Sequence, residues 1–544
     1  MLPNISRKTA VLSLSIITLI GIYLRVHALS PYKFYPDSYQ PLLVAQNIRS
    51  FGGVIGVLGT GGILYPDFFS WTRPMYPLLI DLVNVFTNDP ESAAHAVALI
   101  AGIASIPIAF LFLAAALRSE IAGLLGALLL ALAYDHAVWG GFIFSDTTGV
   151  FFLFLALWLF VSGLDKDRDM ADWRDLLTGA AFACAVLARY EYAVLILPFI
   201  SLFFLTKPRT FAAQFGRASD QVPSRRLARK FGRLISMAAA ACAIGACAYF
   251  FLSPFVIYSA STSTQVTYLF DFTGRFDLSG LLGFVHFDIA ITLLAIFGTI
   301  SSLLQKRQRR LIAFCVLSAI LLGYLYYSTN PAMQRYFIHL IPFILVPAAI
   351  GSAYLFEKAR KSLPYVKYLA ATVACLLLLW QFRLTYAGLH NKANGGYWFT
   401  PGYEELAAKE IIPDLPPAAM IIVSLPEPYF FITGHPTQSI ADAAPFVYIS
   451  DTLDDSAVTI VEDEGMRRIF PVFSGFIAKN LGKYIVKEIP FKGVYRYADL
   501  IEKVDSPIRL YSIRLGELKS LISAQMALPA SATTTPAAAA ATPL

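Results

Sequence analysis

Charge is scarce in this chain of 544 residues. Asp, Glu, Lys and Arg supply 15% of it, against about a quarter in soluble proteins. So few charges could not cover the surface of a water-soluble body of this length. Cysteine is sparse as well. All five (Cys184, Cys242, Cys247, Cys315, Cys375) fall inside apolar segments with no paired spacing, which excludes a disulfide scaffold and a cysteine metal site. The HExxH, GxSxG, Walker A and CxxC patterns are missing, and with them the familiar soluble-enzyme chemistries. What is abundant is apolar: 57% of the residues, at a mean hydropathy of +0.61. The chain reads as a polytopic α-helical membrane protein. Its net charge of +7 does not point to nucleic acid, because the basic residues sit in loops between apolar runs.

A helix needs about 17–25 apolar residues to cross a bilayer. Eleven runs qualify, at roughly 9–28, 92–117, 121–138, 145–163, 175–190, 191–206, 234–257, 286–304, 311–328, 336–356 and 367–384. Orientation follows from the Lys/Arg bias of the connections. With the N-terminus in the cytoplasm, the inside segments hold 22 basic residues, eight of them in the loop from Lys207 to Arg233, and the outside segments hold 6. Val26-His27-Ala28 has the form of a signal-peptide cleavage site, but Arg25 interrupts the apolar stretch before it, so the first run is read as a retained span.

Two outside regions exceed mere connections. Residues 29–90 form a large first external loop with an amphipathic helix at Ser38–Phe51, a Gly-rich turn (Gly52 to Gly62) and an apolar helix after Pro74. Residues 385–526 turn to ordinary globular composition and predict a small extracytoplasmic α/β domain, after a membrane domain of residues 1–384. Its signals are a helix at Tyr403–Ile411 and strands at Met420–Leu425, Tyr429–Thr433, Val458–Val461 and Tyr484–Ile489. Residues 527–544 are an Ala/Thr/Pro tail that predicts disorder.

Ionisable residues at membrane depth are costly and are functional candidates by default. They gather at the outer ends of the spans: Arg25 and His27, then Asp37, Asp135 and His136, Asp146, Arg189 and Glu191, His286 and Asp288, Arg335 and His339. Mixed acids and bases at one membrane surface suit group transfer from a lipid-borne donor. Carboxylates deprotonate an acceptor or hold a metal, and arginines grip a phosphate. The bland readings are an arginine that snorkels to the headgroups, an aspartate that caps a helix and histidines that space an interface.

Several stretches resemble, in order, the GT-C superfamily of multispan glycosyltransferases that use polyprenyl-phosphate sugars, a group including protein mannosyltransferases and lipid A aminoarabinose transferases. "LRVHALSPYKFYPDSYQPLLVAQNI" is similar to its first span and first external loop, and "TRPMYPLLIDLVNVF" to its Arg-Pro-Pro-Leu-Tyr-Pro segment. "FIFSDTTGVFFLFLALWLF" resembles its acidic fourth-span start, "GAAFACAVLARYEYAVLILP" its Arg-Tyr/Pro-Glu segment and "QRYFIHLIPFILVPAAIG" its late Arg-Tyr…Pro span. "PGYEELAAKEIIPDLPPAAMIIVSLPEPYFFITGHP" resembles the outward domain of bacterial members, and the whole resemblance covers about residues 10–445.

The resemblance implies about 11 transmembrane helices and an inverting displacement at the outer membrane face. Asp37 and Asp146 match the family's two acidic positions, as catalytic residues and, together, as ligands for a divalent cation (Mg or Mn). Arg189 and Arg335 match arginines suited to the donor phosphate, and Arg73, Glu191 and His339 join them as candidate substrate contacts. Asp146 holds a cation with Asp37 or orients an arginine; both readings stay open. Family members often carry two acids in the first loop, whereas Ser38 and Tyr39 follow Asp37 here, and the Trp-Trp-Asp signature of oligosaccharyltransferases is missing. The partners implied are a polyprenyl-phosphate-linked sugar, an acceptor glycolipid, polysaccharide or protein, and the bilayer of a plasma membrane. The competing class, a transporter or flippase of lipid-linked saccharide, predicts polar groups near the midplane and paired halves, and neither pattern is present. The loop Ser259–Val285 is read as a cover over the lipid carrier or as a plain surface segment.

Overall fold

The computed structural model describes residues 5–29, 38–51, 73–164, 172–205, 223–256, 288–304, 308–329, 334–361, 364–393, 403–416, 420–424, 426–435, 437–439, 457–497 and 500–526. Asp37, the Gly-rich turn, the loop Ser259–Val285, His286 and the C-terminal tail lie outside these residues. The described chain divides into two compact units, one up to residue 393 and one from 403 onward.

The first unit is a helical bundle. Its helices are α1 (Arg7–His27), α2 (Tyr39–Phe51), α3 (Met75–Thr87), α4 (Pro90–Leu117), α5 (Glu120–Leu132), α6 (Tyr134–Trp139), α7 (Asp146–Leu164), α8 (Trp173–Ala188), α9 (Ile196–Leu205), α10 (Pro223–Val256), α11 (Ile289–Leu304), α12 (Arg309–Thr329), α13 (Ile341–Lys361) and α14 (Pro364–Ala393). Two 3-10 segments, Tyr190–Leu195 and Gln334–His339, precede α9 and α13. A helix coincides with each of the eleven apolar runs. Seven of them are long and apolar enough to cross a membrane, namely those at the first, second, fourth, seventh, ninth, tenth and eleventh runs.

Local chemistry sets these ends. Asp89 caps α4 by accepting from the backbone N–H of Glu91 (3.2 Å) and Ser92 (3.0 Å), with Pro90 in the first turn where no N–H is needed. Arg118 then takes a left-handed conformation (φ 53°) and Ser119 caps α5 through Ala122 N–H (3.2 Å), so two helices join in one tight turn. The run at 121–138 is not one helix. It breaks at Ala133, which is extended (ψ 119°), and restarts as α6, where the Asp288 carboxylate accepts from Tyr134 N–H at 3.0 Å. Helices α11 and α13 approach until a Cβ on Gly298 would sit 1.9 Å from the Pro347 carbonyl oxygen, a contact that only glycine allows. On α10, Arg233 grips Asp175 of α8 through Nη2 (2.9 Å) and Nε (3.0 Å), inside the basic segment read from the sequence.

The second unit is α/β. It comprises α15 (Tyr403–Ile411), β1 (Met420–Val423), α16 (Pro426–Thr433), β2 (Thr437–Ser439), β3 (Ala457–Glu462), α17 (Glu464–Ile469), α18 (Pro471–Asn480), β4 (Ile485–Ile489), β5 (Lys492–Tyr497), β6 (Leu500–Asp505), β7 (Ile508–Arg514) and α19 (Leu515–Met526). The main sheet has the order β2-β1-β3-β7-β4, with β1, β2 and β3 parallel and β7 antiparallel to both of its neighbours; β5 and β6 pair separately. Ile422 and Ile460 pack on one side with Met466 and Leu518, while Ile421, Val423 and Val461 pack on the other with Tyr403 and Tyr429.

One expectation fails here. Tyr429–Thr433 is the end of α16 and not a strand. Its apolar residues run consecutively without the alternation of a half-buried strand, and Pro426 sets the φ of a helix start. Gly434 (φ 68°) closes that helix.

Candidate active site

The site lies within the helical unit, where several elements begin or end. A cleft there is lined by Gln40, Pro41 and Val44 of α2, by Arg73, Tyr76 and Pro77 at the start of α3, by Phe144, Ser145 and Asp146 at the start of α7, and by Arg189 and Arg335. Arg189 follows α8 in extended conformation (φ −151°, ψ 101°), and Arg335 belongs to the 3-10 segment before α13. Three guanidiniums and one carboxylate thus meet from four separate parts of the sequence.

Their pairing is specific. Arg189, 1% exposed, binds Oδ1 of Asp146, which is fully buried. The same oxygen accepts from His339 Nε2 at 2.9 Å, and His339 Nδ1 lies 2.7 Å from the Tyr192 hydroxyl. Glu191 Oε1 accepts from Arg73 Nη2 at 2.8 Å and stands 3.8 Å from Arg189 Nη1. Arg335, also buried, lies over the ring of Phe144 at 4.8 Å, a cation–π contact that places its charge beside the cleft. Asp146 Oδ2, Glu191 Oε2, and Nε and Nη1 of Arg189 are buried without hydrogen-bond partners among the described residues.

The sequence-derived residues therefore divide. Asp146, Arg189, Arg335 and Arg73 line the cleft; Glu191 and His339 touch those residues from behind. Asp37 lies outside the described residues. Tyr192, Tyr326 and Tyr336 were not singled out. Their one sequence signal is a phenol inside an apolar run, which needs a partner for its hydroxyl.

The described residues alone do not fit a divalent cation. No group of three or more His, Cys, Asp or Glu side chains gathers among them, and the one carboxylate lining the cleft stands among guanidiniums. That donor set suits an anion.

Other ionisable residues from span ends lie elsewhere. Arg25 is fully buried and donates to the carbonyls of Gly21 (3.0 Å), Leu130 (3.1 Å) and Ala131 (3.3 Å), with His136 Nδ1 at 2.7 Å from Nη2. It does not snorkel. Asp288 holds the start of α6 and accepts from Gln381 Nε2 at 2.8 Å. His27 stacks on Tyr386, with ring centroids 5.2 Å apart.

Residues 72–216, which include Arg73, Asp146, Arg189 and Glu191, match the family model of dolichyl-phosphate-mannose-protein mannosyltransferases. The fold is similar to three solved membrane glycosyltransferases. The Archaeoglobus fulgidus oligosaccharyltransferase aligns over 92% of this chain and 75% of its own, with a TM-score of 0.59 at 12% identity. ArnT from Cupriavidus metallidurans, solved with undecaprenyl phosphate, aligns over 93% and 98%, with a TM-score of 0.57 at 13% identity. In fold, then, the chain is similar to these glycosyltransferases. The mycobacterial arabinofuranosyltransferase AftD aligns over 94% of this chain and 40% of its own at 14% identity and a TM-score of 0.52. No curated protein matches by sequence. The family segment contains Arg73, Asp146 and Arg189 of the cleft, while Gln40, Pro41, Val44 and Arg335 lie outside it.

Proposed function

We propose that this protein is a glycosyltransferase that moves a sugar from a polyprenyl-phosphate carrier to an acceptor glycolipid, polysaccharide or protein at the outer face of a plasma membrane. The observation that carries this reading is the convergence of Arg73, Arg189 and Arg335 on one cleft with a single lining carboxylate among the described residues. A lipid phosphate brings the negative charge and the acceptor oxygens that such a cleft lacks. Two of the similar structures support the same ligand class, being complexes with dolichol-phosphate and undecaprenyl phosphate. The bias of basic residues supports a cytoplasmic N-terminus and an extracytoplasmic α/β unit.

The reaction is a single inverting displacement. A hydroxyl or amine of the acceptor attacks the anomeric carbon, the bond from that carbon to the phosphate oxygen breaks, and both electrons leave with the phosphate. The phosphate needs charge stabilisation more than a proton. Arg189 and Arg335 supply it, and Arg73 extends the positive rim. Asp146 fixes Arg189, because its Oδ1 is already taken by a guanidinium and an imidazole N–H. The proton of the attacking group passes to Asp37, the family's first-loop acid. No step is routed through a metal.

The test uses the purified full chain in lipid nanodiscs with undecaprenyl phosphate and a short-chain polyprenyl-phosphate hexose. Wild type binds the first and releases polyprenyl phosphate from the second. Asp37→Asn binds equally and turns over at least about 100-fold more slowly. Absence of lipid binding by the wild type would refute the reading and favour a different cargo.

A further inference from the structure

Tyr192 and His339 are fully buried, and neither lines the cleft. Yet they join two short 3-10 segments, Tyr190–Leu195, which Arg189 caps, and Gln334–His339, which contains Arg335; Arg189 and Arg335 are the two most buried arginines of the site. Their hydrogen bond of 2.7 Å, from Tyr192 to His339, links those segments directly. It continues from His339 Nε2 to Asp146 Oδ1 at 2.9 Å, and Asp146 binds Arg189.

The chemistry of this chain of bonds fixes a tautomer. The carboxylate accepts, so His339 Nε2 must carry the hydrogen. In the neutral ring Nδ1 is then an acceptor, and the Tyr192 O–H supplies its donor. The ring is also clamped. It stacks on Tyr326 (4.7 Å between centroids, planes 17° apart), which stacks on Tyr336 (4.7 Å, 23°), and the Tyr192 ring meets it edge-on at 5.5 Å. An imidazole held on its face and at both nitrogens has no atom left for a substrate.

We propose, on the basis of the function above, that Tyr192 and His339 are positioning residues for the glycosyl transfer. The pair sets the spacing of the segments carrying Arg189 and Arg335. It also turns Asp146 so that Oδ1 is spent on Arg189 and His339, leaving Oδ2, buried and without a partner among the described residues, as its remaining acceptor. His339 thereby leaves the set of substrate contacts expected from the sequence and acts through Asp146.

Three variants test this in nanodiscs. His339→Gln keeps an N–H donor at the reach of Nε2; His339→Ala removes it; Tyr192→Phe removes the donor to Nδ1. Expected for His339→Ala is a kcat about 10- to 100-fold lower, the usual cost of removing an orienting partner, with KM for the short-chain donor and Kd for undecaprenyl phosphate within about 3-fold. His339→Gln should recover most of kcat, and Tyr192→Phe should fall between. A His339→Gln protein that folds yet is as slow as His339→Ala overturns the proposal. A loss in Kd equal to the loss in kcat does the same, since it means His339 touches the lipid phosphate. The 15N resonances of the His339 ring give a readout independent of turnover. A neutral Nε2–H tautomer supports the relay, and a protonated or Nδ1–H ring refutes it even if the wild type accepts no polyprenyl donor.

Discussion

Two arginines of this protein, Arg25 and Arg189, are buried almost completely, at 0% and 1% exposure, and they teach opposite lessons. Arg189 meets Asp146 and Glu191, keeps two nitrogens without hydrogen-bond partners among the described residues and opens on a cleft. Arg25 meets no carboxylate among the described residues. Its guanidinium sits on carbonyl oxygens, two of them from the last turn of α5, where the helix presents its negative end. That cation is spent on joining α1 to α5 and to His136. Burial of a charge at membrane depth therefore does not by itself mark a functional site. Arg25 too keeps one nitrogen, Nε, without a partner among the described residues, so what marks the site is a buried charge that borders open space.

Substitution should separate the two most sharply at Arg189. Arg189→Met removes one of the charges facing the leaving phosphate, and we expect a loss of about 100- to 1,000-fold in turnover of a polyprenyl-phosphate hexose. Arg189→Lys should recover only part of it, since an ammonium lacks the planar fork. Undiminished turnover in Arg189→Met would remove the distinction drawn between the arginines.

Arg25→Met should do the reverse. It leaves three carbonyls and His136 without their donor, and removing one partner of a buried charged network costs about 3 kcal/mol. Thermal unfolding in nanodiscs should show this as a lower melting temperature, while kcat of the folded fraction stays within about 3-fold. A folded, thermally unaltered and inactive Arg25→Met would place Arg25 in the reaction.

A subtler probe adds one methyl beside each arginine. At Gly149 a Cβ would lie 3.1 Å from Arg189 Cγ and 3.2 Å from the Tyr192 ring, so the guanidinium or the ring must shift. At Gly102 the nearest atom is Arg25 Cδ at 3.4 Å, an ordinary contact. Gly149→Ala should lower kcat by about 10-fold, because sub-ångström displacement of a positioned group is costly, and Gly102→Ala should be nearly silent. Equal effects would mean that helix packing, and not the arginine, is being read.

Much of the architecture is legible in the sequence, because bilayer crossing demands long apolar runs and leaves a helix at each one. The site is legible in part. Asp146, Arg189 and Arg335 stand out as rare charges at span ends, and their order along the chain resembles the family. Tyr192 does not, because a tyrosine in an apolar run looks the same whether its hydroxyl meets lipid headgroups or a histidine from a segment 147 residues away. Arg25, Asp135 and Asp288 carry the same signal as Arg189, and only three-dimensional pairing shows which charges hold helix ends together. The misread strand at Tyr429–Thr433 has another cause, since a short apolar run fits helix and strand alike until its contacts are known.

The smallest expected effect carries the comparison to the α/β unit, where Asp463 is a buried carboxylate held mainly by neutral groups. It accepts from the Tyr429 hydroxyl (2.6 Å), the Met466 N–H (2.8 Å) and the Ser424 hydroxyl (3.3 Å). Burial pushes its carboxyl above the usual range, and these donors with Arg467 offset only part of that. A raised carboxyl pKa favours the protonated form in the folded state. Its contribution to stability is therefore full below the ordinary aspartate value near 4 and fades as pH rises through the folded value. Glu464, next in the chain, runs the other way: Arg468 holds it below its usual value against burial, so its contribution is lost as pH falls. Asp463→Asn retains a capping oxygen and deletes the Asp463 contribution alone. The stability of the variant relative to wild type, read from hydrogen exchange at the amides of β3 and α17 in the full chain, should rise between about pH 4 and pH 7. A difference that stays flat over that range would mean that Tyr429, Met466 and Ser424 satisfy the carboxylate as fully as water does, and that a buried charge here needs neither a counter-ion nor a proton.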